Sequence, residues 1–193
     1  MFLSVCLEFA KHKNYEKEVK KAKARKRQHK IEEMTKDKYR AVKIQPLINK
    51  IARLIDYGQV CIASRVDKGK MAGGHYHAVG HNRTLSLNLH NIHIQSYHSN
   101  GPQGGQHIKY RHGLIEEYGN EYTEFIDMHL CQCPSNLWTK NDLIKLRPGL
   151  LGTIKQLEAD QTKRTPLERI TLRNQINEQI GLYAKEFSIF SVE

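Results

Sequence analysis

Eight of the chain's 11 histidines fall in one stretch: His75, His77, His81, His90, His93, His98, His107 and His112. Asn82, Asn88, Asn91 and Asn100 are interleaved with them. Imidazole exchanges protons near neutral pH and also binds metals. A stretch of this density therefore points to acid–base or metal chemistry. His75 closes a run with strand character, Asn91 ends the polar segment that follows, and Asn100 stands where a helix can begin. Such a series can supply a neutral imidazole to take a proton from water, an amide to orient it, and an oxygen donor for a hard cation. For His93, core packing with a single hydrogen bond is an equally good reading. His77, His81, His90, His107 and His112 read as surface residues.

Charge is the second signal. The 193 residues carry 31 Lys and Arg against 20 Asp and Glu, a net +11. Between Lys11 and Lys43 there are 14 basic and 5 acidic residues, which accounts for most of the excess. Its densest part holds Lys20, Lys21, Lys23, Arg25, Lys26 and Arg27. The segment lacks Pro and Gly and is rich in helix formers. A helical arm that meets a polyanion is the reading favoured over a merely solvated helix, because each phosphate neutralised releases counterions. No run approaches the roughly 20 apolar residues of a membrane span, and the arm lacks the apolar face of an interfacial helix. No membrane partner is expected. The apolar opening Met1 to Leu7 is too short for a signal peptide. Four cysteines in a chain of this length do not form a disulfide scaffold. A cytoplasmic location is therefore expected.

These residues need elements to position them. Leu47, Ile48, Ile51, Leu54 and Ile55 recur with helical spacing, started by Pro46 and stopped by Gly58. Val60 to Ala63 reads as a short strand, Asp67 to Gly69 as a turn, and Met71 to Ala78 as the returning strand. A polar loop over 78–91 precedes another strand at Ile92 to Gln95. Helices are expected over His107–Tyr118 and Glu121–Leu130, then from an N-cap at Thr139 to Leu146, with Pro148-Gly149 as a stop. Further helices read as Leu150–Ala159 and Leu167–Phe187. The fold class is α+β, in three parts: a basic arm over 1–45, a core over 46–147 and a helical extension over 148–193.

Strand, loop and helix carrying His75, Asn91 and Asn100 form a layout similar to that of the one-metal ββα nucleases of the HNH class. A longer string is more specific. Gly74-His75-Tyr76, Asn91-Ile92-His93 with Gln95, Asn100, Tyr110, Leu114-Ile115 and Tyr118-Gly119-Asn120-Glu121 resemble the phage recombination endonucleases of the NinG/Rap family. The resemblance covers roughly residues 20–147. It implies a small ββα-metal core of the HNH or His-Me kind and metal-assisted cleavage of branched double-stranded DNA, Holliday junctions and D-loops included. It makes His75 the general base, Asn91 its orienter and Asn100 a ligand of Mg²⁺ or Mn²⁺. His93 or His98 would supply a second contact to metal or leaving group. Symmetric cleavage of a four-way junction needs two active sites, so a homodimer is expected.

The chain departs from the family pattern where four thiolates would hold a structural zinc. Those positions are Cys61, Ser64, Ser96 and Ser99. Hydroxyls are poor zinc ligands, and no structural zinc is expected there. Ala72 and Ser86 stand where an acidic residue and an Arg occur in relatives. The alternative function is a catalytically degenerate member that binds branched DNA or serves as a virion structural protein. An RNA-binding module has only the basic arm in its favour.

Overall fold

The structure, a computed structural model, describes residues 2–134 and 138–191. It divides into two compact units, Met1–Tyr39 and Arg40–Glu193. The first consists of α1 (Phe2–Glu33) and the short α2 (Lys36–Tyr39). From His12 to Lys30 the side chains of α1 are exposed except for half-buried Val19.

The second unit opens with a π-helical turn, Arg40–Ile44, that runs into α3 (Gln45–Ile55). Pro46 sits in the first turn, where its missing N–H costs nothing. Ile48, Ile51, Ala52 and Ile55 form the buried face of α3, which packs on α7 and on the sheet. Residues 60–63 are not a strand. Cys61 N donates to Val66 O (3.2 Å) and Arg65 N to Cys61 O (2.9 Å), so the segment closes into a turn. It meets the sheet through a hydrogen bond from Ile62 N to Ile94 O (2.9 Å).

The sheet pairs β1 (Met71–His75) with β2 (Ile92–Ser96), antiparallel, in the register Met71↔Ser96 to His75↔Ile92. The pairing requires Gly74, since a Cβ there would overlap the side-chain oxygen of Gln95. The four-residue helix α4 (Tyr97–Asn100) follows β2 directly, capped by the Ser96 hydroxyl. Next come α5 (His107–Tyr118), α6 (Asn120–Glu124) and a second π-helical turn at Phe125–His129. Gly113 lets α5 pass against the Ile62 carbonyl, which any side chain would strike.

α7 (Lys140–Ala159) and α8 (Pro166–Ile180) each start with a reciprocal cap, Thr139 with Asp142 and Thr165 with Glu168. α8 ends at left-handed Gly181, and the short α9 (Lys185–Ser188) follows. α7 runs through Pro148, so the stop expected there does not occur. Position 148 lies within α7, and residues 40–193 form one unit. The C-terminal helices complete the core. From α8, Arg173 Nη2 reaches both carboxylate oxygens of Asp56 (2.8 Å each), and Asp56 Oδ2 accepts from Ile94 N of β2 (2.9 Å). The fold is α+β: helix-rich, with one small sheet.

Candidate active-site cleft

β1 ends at a cleft of about 520 Å³ lined by His75, His77, His81, His107, Asn82 and Asn100, with Tyr76, Ala78, Val79, Gly104 and Gly105. The connection between the strands supplies one wall, and the segment after α4 supplies another. Four imidazoles and two amides line this space, and among the described residues no Lys, Arg, Asp or Glu does.

His75 is held from behind. Its Nε2 lies 3.0 Å from the Ser86 carbonyl oxygen. A carbonyl only accepts, so this contact is a hydrogen bond when the ring proton sits on Nε2, the form in which Nδ1 keeps its lone pair. Burial holds the ring below the usual histidine range, and the nearby Arg40 charge pushes the same way, against the opposing effect of the Ser86 carbonyl. The result is a neutral imidazole at pH 7 with one free nitrogen, the form a general base needs.

The expected site residues separate into two groups. Asn100 lines the cleft with His75. Asn91 does not hydrogen-bond His75. Its Oδ1 accepts from His77 N (2.7 Å), and its Nδ2 donates to the carbonyls of His77 (3.1 Å) and Leu85 (3.2 Å). It therefore staples the loop between the strands. It acts on His75 at one remove, through the segment that carries Ser86. His93 is fully buried, with Nδ1 3.2 Å from Tyr110 Oη and Nε2 3.4 Å from Tyr122 Oη. His98 is exposed on α4 and does not line the cleft.

Of the residues read as surface positions, His81, His107 and His112 are exposed and His77 is half-buried. His90 is fully buried, its Nε2 donating to the Ser188 carbonyl (3.0 Å). His77 and His107 are cleft residues, and His107 stacks on Tyr76 with ring centroids 4.4 Å apart. Gln45 and Arg40, which the sequence did not single out, stand behind His75. The only available signal was the dense polar composition before Pro46.

The arm residues Lys20, Lys21, Lys23, Arg25, Lys26 and Arg27 all lie on α1 and are all exposed. Lys20, Lys23 and Arg27 share one side of it at helical spacing.

Cys61, Ser64, Ser96 and Ser99 come together through hydrogen bonds. Ser64 N donates to Cys61 Sγ (3.3 Å), and Ser96 Oγ lies 3.0 Å from Ser99 Oγ. Burial raises the Cys61 thiol, but hydrogen bonds from Ser64 and Ser96 outweigh it and leave the group at about 7. One sulfur among three hydroxyls is not a zinc donor set. Around the cleft, the donors are imidazoles and amides. Among the described residues, no three His, Cys, Asp or Glu side chains converge to hold a metal ion. Mg²⁺ is held through carboxylate and phosphate oxygens, so these residues do not fit a protein-built Mg²⁺ cage.

The fold and cleft define a small α+β protein that presents a neutral histidine from a strand end. Residues 4–160 match the family described as Bacteriophage Lambda NinG protein, and the chain belongs to that family. No curated protein matches the chain. No solved structure matches it. Among the described residues, no helix is long and apolar enough to cross a membrane.

Proposed function

We propose that the protein is a phage recombination endonuclease that cleaves branched double-stranded DNA by phosphodiester hydrolysis. The observation that carries this reading is His75: lowered below the usual histidine range, with Nε2 beside the Ser86 carbonyl, and lining a polar cleft. In this reading His75 takes a proton from the attacking water. The amides of Asn82 and Asn100 and the imidazoles of His77, His81 and His107 offer hydrogen bonds to a phosphodiester. The order β1, loop, β2, α4 supports kinship with ββα nucleases. The exposed basic residues of α1 supply affinity for phosphate without reading sequence. The protein would act on a four-way junction as a dimer, in the host cytoplasm.

The test is incubation of a synthetic four-way junction with the protein, in separate Mg²⁺, Mn²⁺ and chelator arms. Wild type should nick, and His75→Ala should lose about 10²–10⁴-fold in rate while binding the junction as before. Replacing the six arm residues by Gln should weaken all DNA forms alike and flatten a log K against log salt slope of about −5. One observation favours a second reading. A cleft lined by no carboxylate among the described residues fits a degenerate member that binds branched DNA, or serves in the virion, without cutting. Junction binding with no nicking in any cation arm would establish that reading instead.

A further inference from the structure

His75 also has a polar neighbour off the strand–loop–strand unit: Gln45, the first residue of α3. Arg40–Ile44 is π-helical, and this wider turn sets residues five apart over one another. Arg40 Nη1 accordingly donates to Gln45 Oε1 (3.1 Å) and also to Ser86 Oγ (3.1 Å). The two protons of the Gln45 amide go to Asn49 Oδ1 (2.9 Å) and to the Ser86 carbonyl (2.6 Å). The same carbonyl lies 3.0 Å from His75 Nε2. Gln45 cannot be flipped, because its oxygen would then face the Asn49 oxygen and the Ser86 carbonyl while its NH₂ faced Arg40. Gln45 Nε2 and His75 Nε2 lie only 3.1 Å apart. In the Nε2–H form both nitrogens direct hydrogens at one acceptor, the arrangement in which the two Gln45 protons stay on Asn49 and Ser86. In the Nδ1–H form Gln45 would instead donate to His75 Nε2.

We propose that Gln45, locked by Arg40 and Asn49, is the positioning residue of His75: by sharing the Ser86 carbonyl it fixes the imidazole as the Nε2–H tautomer, disfavours its protonation and leaves Nδ1 free. π-Helical turns are rare and concentrate at functional sites. The groups facing His75 are Arg40 from the π turn, Gln45 from α3, Ser86 from the loop, and His77, His81 and His107 across the cleft. Among the described residues, none of the groups facing His75 is a carboxylate; the contact that favours its charged form is the carbonyl, and Gln45 competes for that.

The inference rests on the general-base reading of His75 for its purpose, but its test does not require nicking. Long-range ¹H–¹⁵N correlation spectra of the ¹⁵N-labelled protein without DNA read the tautomer and pKa of His75 directly. Wild type should show the Nε2–H form. Gln45→Leu should raise the His75 pKa, because the Ser86 carbonyl then serves the imidazole alone. Gln45→Glu should raise it further, by about 1–3 units, by placing a carboxylate beside the ring. If neither variant folds, Arg40→Gln should still raise the pKa by removing the repelling charge. A wild-type proton on Nδ1, or an unchanged pKa in the folded variants, overturns the proposal. If wild type does not nick, the nuclease reading fails while these spectra still decide the role of Gln45. If it nicks, the acid limb of the rate profile should move with the pKa.

Discussion

His75 and His93 belong to one two-stranded sheet, and their surroundings are opposite. The register pairs His75 with Ile92 and Gly74 with His93. Paired residues share a face and neighbours along a strand alternate, so the two imidazoles leave the sheet on opposite sides. On one side His75 reaches a cleft with one nitrogen committed and one free. On the other, His93 sits between Tyr110 and Tyr122, and Tyr122 in turn meets His90 Nδ1 (3.0 Å). Beyond them lies the Asp56 carboxylate with the buried guanidiniums of Arg173 and Arg169. The contrast shows what makes a titratable side chain available for chemistry. It is the atom left over after packing, not the residue type.

The contrast can be broken or sharpened by measurement. The largest expected effect is on the buried side. Asp56→Ala leaves the buried Arg173 without its carboxylate, while Arg169 keeps Glu117, and should cost about 3–5 kcal/mol in urea unfolding. A loss near zero would mean that water reaches the Arg173 guanidinium. Next, His93→Ala should cost about 2–4 kcal/mol through its cavity and the unpaired hydroxyls of its neighbours. His75→Ala should stay within about 1 kcal/mol in the same experiment. Equal losses would erase the distinction between the two faces.

Acid should expose the buried side more gently. Burial, and then the Arg173 charge, hold His90 down to about 3. His93 is lowered for the same two reasons. The unfolded chain takes up these protons near pH 6.5 while the folded chain does not. Stability is therefore complete above that pH and falls as pH drops toward the folded pKa. The slope should be up to about 1.4 kcal/mol per pH unit for each histidine. Urea midpoints from pH 7 to pH 4 test this, and His90→Gln should make the slope shallower. The smallest effect belongs to His98, exposed and away from the cleft. His98→Ala should change stability by no more than about 0.5 kcal/mol and leave junction binding and nicking as they are.

Helical periodicity made α3 legible, and Thr139 marked the start of α7, because both signals are local. His75 and Asn100 line one cleft. Asn91 and His93 lie elsewhere, the latter in the core as its alternative reading had it, since spacing cannot say which face a side chain leaves from. β2 is buried along its whole length, so it shows no alternation to read. Val60–Ala63 has strand composition, yet the Cys61 amide finds its acceptor at Val66 within the turn. Pro148 failed as a stop because it and Ile144 face solvent. The carbonyl that Pro148 leaves unpaired can be hydrated, and buried Leu143, Leu150, Ile154 and Leu157 hold the helix on both sides. Gln45 was invisible because its partner carbonyl, Ser86 O, lies 41 positions away.

The Asp56–Arg173 pair spans 117 positions of sequence. A ribosome adding roughly 5–20 residues per second needs on the order of 10 s to travel that distance. Throughout that interval the Asp56 carboxylate stays hydrated and the sheet lacks the cation that neutralises its main-chain anchor. The cleft's supporting face cannot be finished piecemeal behind the ribosome. It closes only when α8 has emerged, so a chain cut short before Arg173 should be a substrate for proteases rather than a partly competent protein.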